Sequence, residues 1–259
     1  MSFNDIIYNY KESKKLRKMK FTSDQLGIMN RYVREKENWN KHIQESKDFI
    51  LQSANSKEKG KVVILGSGWL LDVPLQELSE MFLEVLLIDI VHPKRVVKKI
   101  SKYSNVTLLK ADITGGMIDY IYENPNKKEK LLVPIHPFSF NLPENTDFVI
   151  SLNIMCQLHI ILVDYLKNIS IFSDKELKEF DKNIQIAHLK ILPEKKTCLI
   201  TDIEEEILTK DDQTIGVNPL IHVDLPVGNF SKVWQWKFDS KMTYRDDYKT
   251  FFNTQAIDF

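Results

Sequence analysis

Residues 61–89 read KVVILGSGWLLDVPLQELSEMFLEVLLID, and this stretch decides the fold. It begins with an apolar, β-branched run that is typical of a buried strand. Two glycines follow, Gly66 and Gly68, then a helical pattern at 74–82 and a second apolar run that ends in Asp89. Glycines allow a sharp turn and a close approach of the backbone to a ligand, and the acid can accept hydrogen bonds from ribose hydroxyls. The stretch therefore predicts a site for a nucleotide-like ligand.

Composition limits the class of protein. The length of 259 residues suits one sizeable domain, or one domain with an appendage, and 43% hydrophobic residues can fill a large core. Lys plus Arg equals Asp plus Glu at 36 each, so net charge gives no indication of a nucleic-acid partner. Cys156 and Cys198 lie in apolar runs, which is typical of reduced, buried thiols. No apolar run approaches the ~20 residues of a membrane span, and the N-terminus is polar, so we expect a cytoplasmic protein.

The segment before the first strand predicts a helical extension over residues 1–57. Its apolar residues recur at helical spacing among many charges; they include Trp39, Ile43, Phe49 and Ile50. Residues 11–20 hold six lysines or arginines, which we interpret as a solvated helix face rather than an anion-binding arm.

From residue 61 onward, short apolar runs alternate with helical segments, which indicates a parallel sheet covered by helices on both faces. The predicted strands are 61–65, 84–89, 105–109, 147–152 and 197–202, and the predicted helices are 74–82, 93–103, 116–123, 158–169 and 174–191. The acids at 204–206 predict the start of a further, solvated helix.

The pattern changes after residue 202. Segments 220–225 and 232–238 are typical of two strands joined by a hairpin-like connection. The sequence therefore predicts an α/β fold: a Rossmann-like, doubly wound, mostly parallel sheet of seven strands that ends in an antiparallel hairpin. We expect an N-terminal helical cap over 1–57 and a ligand-binding domain over 58–259.

One long connection, residues 114–146, carries at most one short helix and is rich in proline. Long irregular connections of this kind often form lids or binding loops. A simple surface insertion explains the segment equally well, and the sequence leaves both interpretations open.

Polar groups follow all five predicted parallel strands, where ligands bind in open sheets of this kind. Each of them alone is often a turn residue or a helix cap. Along the chain they are Gly66, Ser67 and Gly68, then Asp89, Asp112, Ser151 with Asn153, and Thr201 with Asp202.

The set resembles the class I S-adenosylmethionine-dependent methyltransferases over roughly residues 58–239. The resemblance is carried by LGSG at 65–68, LDVPL at 71–75, DIVH at 89–92, ADIT at 111–114 and SLN at 151–153. It implies that the glycine turn holds the amino-acid part of the cofactor, that Asp89 binds the ribose and that Asp112 contacts the adenine amine. These motifs are similar to those of an uncharacterised bacterial branch of the superfamily.

From this resemblance we expect S-adenosylmethionine as cofactor and S-adenosylhomocysteine as product. The residues expected to bind the cofactor are Gly66, Ser67, Gly68, Trp69, Asp89, Ile90, Asp112, Ile113, Ser151 and Asn153. Trp69 can pack against the cofactor or against the N-terminal helices, and the sequence does not choose between them.

The motif departs from the family pattern in two places. Ile64 stands where the family usually has an acid, and Leu70 stands where it has its third glycine. Asp72 can supply the missing carboxylate, but we predict that it caps the helix ahead of Pro74. The competing nicotinamide oxidoreductase fingerprint needs a small residue where Leu71 lies, so we favour methyl transfer.

Methyl transfer from a sulfonium depends mainly on positioning, so an essential acid or base can be absent. The catalytic candidates are Asn153, which can orient a substrate, Gln157, and His159, which can take a proton. The residue after Asn153 is Ile154, not the proline of base-modifying amino methyltransferases, and no His, Cys, Asp or Glu spacing predicts a metal site.

We therefore expect a methyltransferase acting on an unidentified acceptor, a small molecule rather than nucleic acid, with no membrane partner. The alternatives are a non-catalytic protein that binds S-adenosyl ligands and, third, an NAD-dependent oxidoreductase. We expect the N-terminal helices and the 114–146 connection to cover the cofactor and select the substrate. The residues that can face such a site are Tyr8, Arg31, Tyr32, Arg34 and His42.

Overall fold

The computed structural model describes residues 14–124, 140–168 and 172–259. The helices are α1 (Lys14–Lys18), α2 (Phe21–Asn55), α3 (Leu75–Met81), α4 (Lys94–Ile100), α5 (Met117–Glu123), α6 (Ile160–Lys167) and α7 (Asp174–Lys190). The strands are β1 (Lys61–Leu65), β2 (Glu84–Asp89), β3 (Val106–Lys110), β4 (Thr146–Leu152), β5 (Thr197–Leu208), β6 (Thr214–Pro219), β7 (Phe230–Asp239) and β8 (Lys249–Asp258). Tyr8, part of the basic run and the proline-rich middle of the long connection lie outside the described residues.

One sheet organises the fold. Its strand order is β3-β2-β1-β4-β5-β8-β7, and β6 pairs with the far half of β5. The first five strands are parallel, while β8 runs antiparallel to both β5 and β7. Chain order reverses between β1 and β4, and this switch point is where open α/β sheets bind ligands. The predicted Rossmann-like, doubly wound α/β fold is confirmed, with β6 as an eighth strand.

The predicted antiparallel end of the sheet is confirmed, but one of its two predicted strands is wrong. Segment 220–225 is not a strand; β7 pairs instead with β8, the last strand of the chain. The alternating apolar residues of 220–225 do pack against the core, but they do so without pairing. The turn after β7 is held by Asp239, whose carboxylate accepts hydrogen bonds from the main chain of Thr243 and Tyr244.

The acids at 204–206 were also predicted wrongly, because they extend β5 and do not start a helix. Each carboxylate has a partner on a neighbouring segment. Arg245 donates to Glu205, and Asn253 donates to both Glu204 and Glu206. These cross-strand contacts let a charged segment lie in the sheet.

The long helix α2 packs on β7 and so joins the N-terminal extension to the sheet. Trp39 lies at the centre: its indole N–H donates to the carbonyl of Phe238 at 2.9 Å, and its ring meets Trp236 edge-on at 4.8 Å between centroids. Helical dihedrals are interrupted at Glu35, whose buried carboxylate accepts hydrogen bonds from the main chain of Ser240 and Lys241. A boundary between domains at residue 57 stays a prediction.

Two further properties concern the surface. In α1 and the residues after it, Leu16 and Met19 are buried against the helices α5, α6 and α7, while most of the basic side chains are exposed. No helix among the described residues combines the length and the apolar character needed to cross a bilayer.

The packing of Trp39 predicts the effect of its removal. Trp39→Ala should lower the free energy of unfolding by about 3–5 kcal/mol, because a buried indole is replaced by a cavity. Urea denaturation followed by circular dichroism measures the change. Val33→Ala on the same helix is the control, because Val33 is 68% exposed and its truncation should change stability by less than about 0.5 kcal/mol. Equal effects of the two substitutions would contradict the packing of α2 on the sheet.

Candidate functional site

A cavity of about 340 Å³ lies at the carboxyl ends of the parallel strands. It is lined by the turn after β1, the ends of β2 to β5, one face of α2 and the far end of β7. The volume falls within the range of small-molecule sites. Of the predicted cofactor residues it is lined by Gly66, Ser67, Gly68, Trp69, Asp89, Ile90, Asp112, Ile113 and Asn153.

The glycine turn after β1 depends on the absence of side chains. Gly66 has a φ of +79°, and a Cβ there would lie 2.9 Å from the carbonyl oxygen of Leu152 and 3.0 Å from the side chain of Ile154. Gly68 has a φ of +47° but faces open space. Gly66 therefore permits the close approach of β1 to β4, and Gly68 leaves the turn accessible to a ligand.

The third glycine of the family pattern is replaced by Leu70, and the backbone there still has a φ of +57°. A leucine in this left-handed region costs roughly 1 kcal/mol. Its side chain is buried in the main core, which offsets that cost. The loop thus has a glycine-like conformation without the glycine.

Asp89 ties the end of β2 to the glycine turn. Its carboxylate accepts hydrogen bonds from the main-chain N–H of Gly68 at 2.8 Å and of Val91 at 3.3 Å. Burial raises the pKa of Asp89, and these hydrogen bonds act in the opposite direction. A carboxylate offers about four acceptor positions, so Asp89 can accept further hydrogen bonds from a ligand.

Asp112 follows β3, the strand next to β2, and its acceptor positions are filled. One oxygen accepts from the main chain and the hydroxyl of Thr114, and the other accepts from the main chain of Gly116 and Ile118. The carboxylate therefore fixes the turn into α5. An adenine amine at this point would have to compete with those donors.

The two predicted residues at the end of β4, Ser151 and Asn153, have different surroundings. Asn153 has a φ of +50° and lines the cavity, whereas Ser151 is fully buried behind it and its hydroxyl lies 2.8 Å from Nε2 of His188. Burial lowers the pKa of His188 to about 4, so that ring is neutral. Ser151 supports the strand and does not line the cavity.

Of the catalytic candidates, Asn153 and Gln157 line the cavity and His159 does not. Nδ1 of His159 lies 2.9 Å from one oxygen of Asp181, and Nε2 of His222 lies 3.1 Å from the other. This group connects the start of α6 with α7 and the segment after β6. The side chain of His159 therefore contacts Asp181 and is not part of the cavity lining.

The prediction that Asp72 caps a helix is wrong. Pro74 occupies the cap position of α3, and the carboxylate of Asp72 instead accepts a hydrogen bond from Nδ2 of Asn153 at 2.9 Å. Burial raises the pKa of Asp72. Asp72 and Asn153 therefore form a half-buried polar pair in the wall of the cavity.

His42 from α2 lies beside this pair and lines the cavity, as expected of a residue that can face the site. The indole N–H of Trp234 donates to its Nδ1 at 3.1 Å, and since indole can only donate, the hydrogen of neutral His42 is on Nε2. Burial lowers the pKa of His42 to about 3. Nε2 lies 3.2 Å from Nδ2 of Asn153; both carry hydrogens, so this contact is a close approach and not a hydrogen bond.

Asp202, at the end of the parallel part of β5, is a second acid in the lining. Its carboxyl accepts a hydrogen bond from the hydroxyl of Thr254 at 2.6 Å. Burial, helped by the nearby charge of Asp72, raises the pKa of Asp202 to about 7, although the hydrogen bond from Thr254 acts in the opposite direction. Raised pKa values of neighbouring carboxyl groups, here those of Asp72 and Asp202, are typical of functional sites.

Trp69 contacts α2: its indole N–H donates to the carbonyl of Gln25 at 2.7 Å. The amide of Gln25 in turn donates to the carbonyl of Val91. The start of α2 is thereby fixed over the ends of β1 and β2. Trp69 also lines the cavity, so packing against the helix does not exclude contact with a ligand.

Among the described residues, no group of three or more His, Cys, Asp or Glu side chains is arranged to hold a metal ion. Both cysteines are buried free thiols; burial raises the pKa of Cys156 to about 12, which opposes a role as nucleophile.

Comparison with known proteins gave matches in structure alone. No protein-family model and no curated protein sequence matches the chain. A structure described as a DhpI–SAM–HEP complex is 10% identical, with a TM-score of 0.39 over 95% of this chain and 99% of that one. The N-methyltransferase NodS from Bradyrhizobium japonicum, in complex with S-adenosylhomocysteine, is 10% identical, with a TM-score of 0.38 over 82% of this chain and 85% of that one.

A SAM-dependent methyltransferase from Aquifex aeolicus is 15% identical, with a TM-score of 0.35 over 81% of this chain and 88% of that one. Matches at this level do not decide the activity of this chain.

The pKa of Asp202 predicts a pH-dependent stability. Its folded value of about 7 lies above the ordinary value of 3.8, so the folded protein binds this proton more tightly than the unfolded chain. The resulting stabilisation is fully present below pH ~4 and is lost as the pH rises through ~7. The stability advantage of the parent protein over Asp202→Asn should therefore fall by about 1 kcal/mol per pH unit between pH 4 and 7.

Urea denaturation of both proteins at pH 4, 5, 6, 7 and 8 measures this difference. Asp246→Asn, at an exposed position after β7, is the matched control and should show no comparable slope. A difference between the parent and Asp202→Asn that stays constant over the whole range would contradict the assignment.

Proposed function

We propose that this chain is an S-adenosylmethionine-dependent methyltransferase whose acceptor is a small molecule. The observation that carries the proposal is the continuity of one cavity. The cavity runs from the nucleotide-type turn and Asp89 to a compartment between α2 and β7 lined by aromatic and acidic side chains. Methyl transfer requires donor and acceptor side by side, and this cavity provides adjoining space for both.

The cofactor side fits an adenosyl amino acid. The hydroxyl of Ser67 is buried within the glycine turn and has no hydrogen-bond partner among the described residues. Gly68 is open to a ligand, and Asp89 keeps acceptor capacity for ribose hydroxyls. Because the carboxylate of Asp112 is already saturated, we assign it the shaping of the adenine end and not a direct hydrogen bond.

The acceptor side has an apolar wall with a few polar groups. Trp236 is 95% buried, and its indole N–H has no hydrogen-bond partner among the described residues. The oxygen of the Asn153 amide is likewise buried without a partner. Buried polar atoms of this kind are rare in folded proteins and favour a ligand that completes their hydrogen bonds. The balanced net charge supports a small acceptor over nucleic acid.

The sulfonium of the cofactor supplies an activated methyl group. The protein then has to align the nucleophile and accept the proton that the acceptor releases. Asp202 lines the cavity, and its pKa of about 7 suits proton transfer near neutral pH. Asn153 can orient the acceptor, whereas His159, which pairs with Asp181 outside the lining, is not assigned a catalytic role.

The first test is ligand binding. By titration calorimetry, S-adenosylhomocysteine should bind and NAD should not. Asp89→Ala should weaken the binding of S-adenosylhomocysteine by about 1–3 kcal/mol, because polar groups of the ligand lose their partner. Glu84→Ala, at the exposed start of the same strand, is the control and should bind as the parent does. Heat with NAD and none with either adenosyl ligand would overturn the proposal.

The second measurement separates an enzyme from a ligand sensor. The protein is incubated with methyl-labelled S-adenosylmethionine and a metabolite extract, and the label is followed by chromatography. We expect the label to be transferred to a small molecule of the extract. Tight binding of S-adenosylhomocysteine without any labelled product would favour the sensor.

A further inference from the structure

Arg31 is a cation on the cavity face of α2 and makes no ion pair with any of the described residues. Its guanidinium carbon lies 4.5 Å from the ring centre of Phe238 and 4.7 Å from that of Tyr244. Its Nε is buried and has no hydrogen-bond partner among the described residues. Burial lowers the pKa of Arg31, but a guanidinium stays charged in proteins.

The acids around Arg31 are engaged elsewhere or disfavour charge. Asp239 accepts hydrogen bonds from Thr243 and from the main chain of Tyr244. Glu205, which lines the same cavity, is paired through both oxygens with Arg245. Burial raises the pKa of Asp24, which makes its ionised form less favourable. None of them makes an ion pair with Arg31 in the described part of the chain.

The two aromatic rings attract the guanidinium. Its carbon lies within cation–π distance of both rings, whose planes are almost perpendicular to each other. Trp39 in turn stacks on Phe238. A guanidinium is planar and carries several N–H donors, so it matches a carboxylate in geometry and charge.

We propose that Arg31 binds a carboxylate inside this cavity. The inference deepens the proposed methyltransferase function and rests on it. A carboxylate can come from the methyl acceptor or from the amino-acid part of the cofactor. A phosphate suits the site less well, because its second negative charge would lie among the acids Asp72, Asp202 and Glu205 of the same lining.

The position of Arg31 favours the acceptor as the source. Its aromatic platform belongs to the end of β7 and the turn after it, the side of the cavity opposite Asp112 and the end of β3. That side also holds the buried, unpartnered indole N–H of Trp236. The acceptor class that matches these groups is a small molecule with a carboxylate on an apolar or aromatic body.

The experiment compares the parent, Arg31→Gln and Arg34→Gln. Arg34 lies on the same helix but is exposed, donates to Thr243 and does not line the cavity, so it is a matched control for lost charge. Two adenosyl ligands are titrated: S-adenosylhomocysteine, and 5′-methylthioadenosine, which lacks the amino-acid carboxylate. Separately, acetate, phenylacetate and indole-3-acetate are each compared with the corresponding amide in thermal-shift assays, with and without S-adenosylhomocysteine.

If the acceptor supplies the carboxylate, at least one of the acids should raise the melting temperature of the parent and of Arg34→Gln. Its amide should not, and Arg31→Gln should lose the effect while binding S-adenosylhomocysteine normally. If the cofactor supplies it, Arg31→Gln should bind S-adenosylhomocysteine at least tenfold more weakly and methylthioadenosine as the parent does. Arg31→Lys keeps the charge without the planar guanidinium and should fall between the parent and Arg31→Gln in either arm.

The inference is overturned if Arg31→Gln binds S-adenosylhomocysteine as the parent does and no carboxylate gives a stabilisation that depends on Arg31. A melting temperature of ligand-free Arg31→Gln close to that of the parent shows that the variant folds. Failure of the proposed function would give a different result, in which the parent binds no adenosyl ligand. The thermal-shift comparison of acids with amides does not need an adenosyl ligand, so it still tests whether Arg31 binds a carboxylate.

Discussion

The close approach of β1 to β4 at Gly66 is the constraint on which the site depends. A side chain there would meet the backbone of Leu152 at 2.9 Å, and the φ of +79° disfavours any residue but glycine. Because the two strands end so close together, the turn after β1 opens directly beside Asn153. The cavity then forms at the point where the strand order reverses, with Asp89 holding the turn through the N–H of Gly68.

The second half of the cavity comes from a long-range contact. Trp39 and Phe238 are 199 residues apart in the chain, yet the hydrogen bond between them fixes α2 along β7. That packing brings His42 next to Asn153 and places Arg31 on Phe238. The N-terminal helix is thus a structural wall of the site as well as part of the core. Removal of the buried Trp39 side chain from α2 is therefore expected to alter stability and ligand binding together.

The parallel strands and their helices were predictable, because each forms from a contiguous apolar run bounded by glycine, proline or polar residues. The antiparallel end of the sheet was predictable as well, but the strand that pairs with β7 was not. Segment 220–225 alternates as a strand does and packs on the core, whereas β8 contains the mixed run FFNTQ and shows its role only through pairing with β5 and β7. Local patterns report which side chains are buried, but not which strand provides the neighbour.

The candidate site likewise contains some residues that the sequence could predict and others that it could not. The glycine turn and Asp89 could be found by spacing, because their function depends on residues close in sequence. Asp72 looked like a helix cap since a proline follows it two residues later, and only the contact with Asn153 reveals its position in the cavity. His159 looked catalytic from its place after β4, but its partner Asp181 belongs to another helix. Roles that depend on a distant partner cannot be deduced from spacing.

The charges of the cavity respond to a ligand in different ways. Asp202, with a pKa of about 7 set mainly by burial, loses its proton more readily when a positive charge lies within ~4–6 Å. A cationic ligand group at that distance would therefore lower the pKa of Asp202 and favour its carboxylate form. Arg31 keeps its charge throughout, held on Phe238 and Tyr244. The combination suits a ligand pair with a positive centre near the end of β5 and a negative group near the end of β7, because each charge then meets its complement only in the assembled complex.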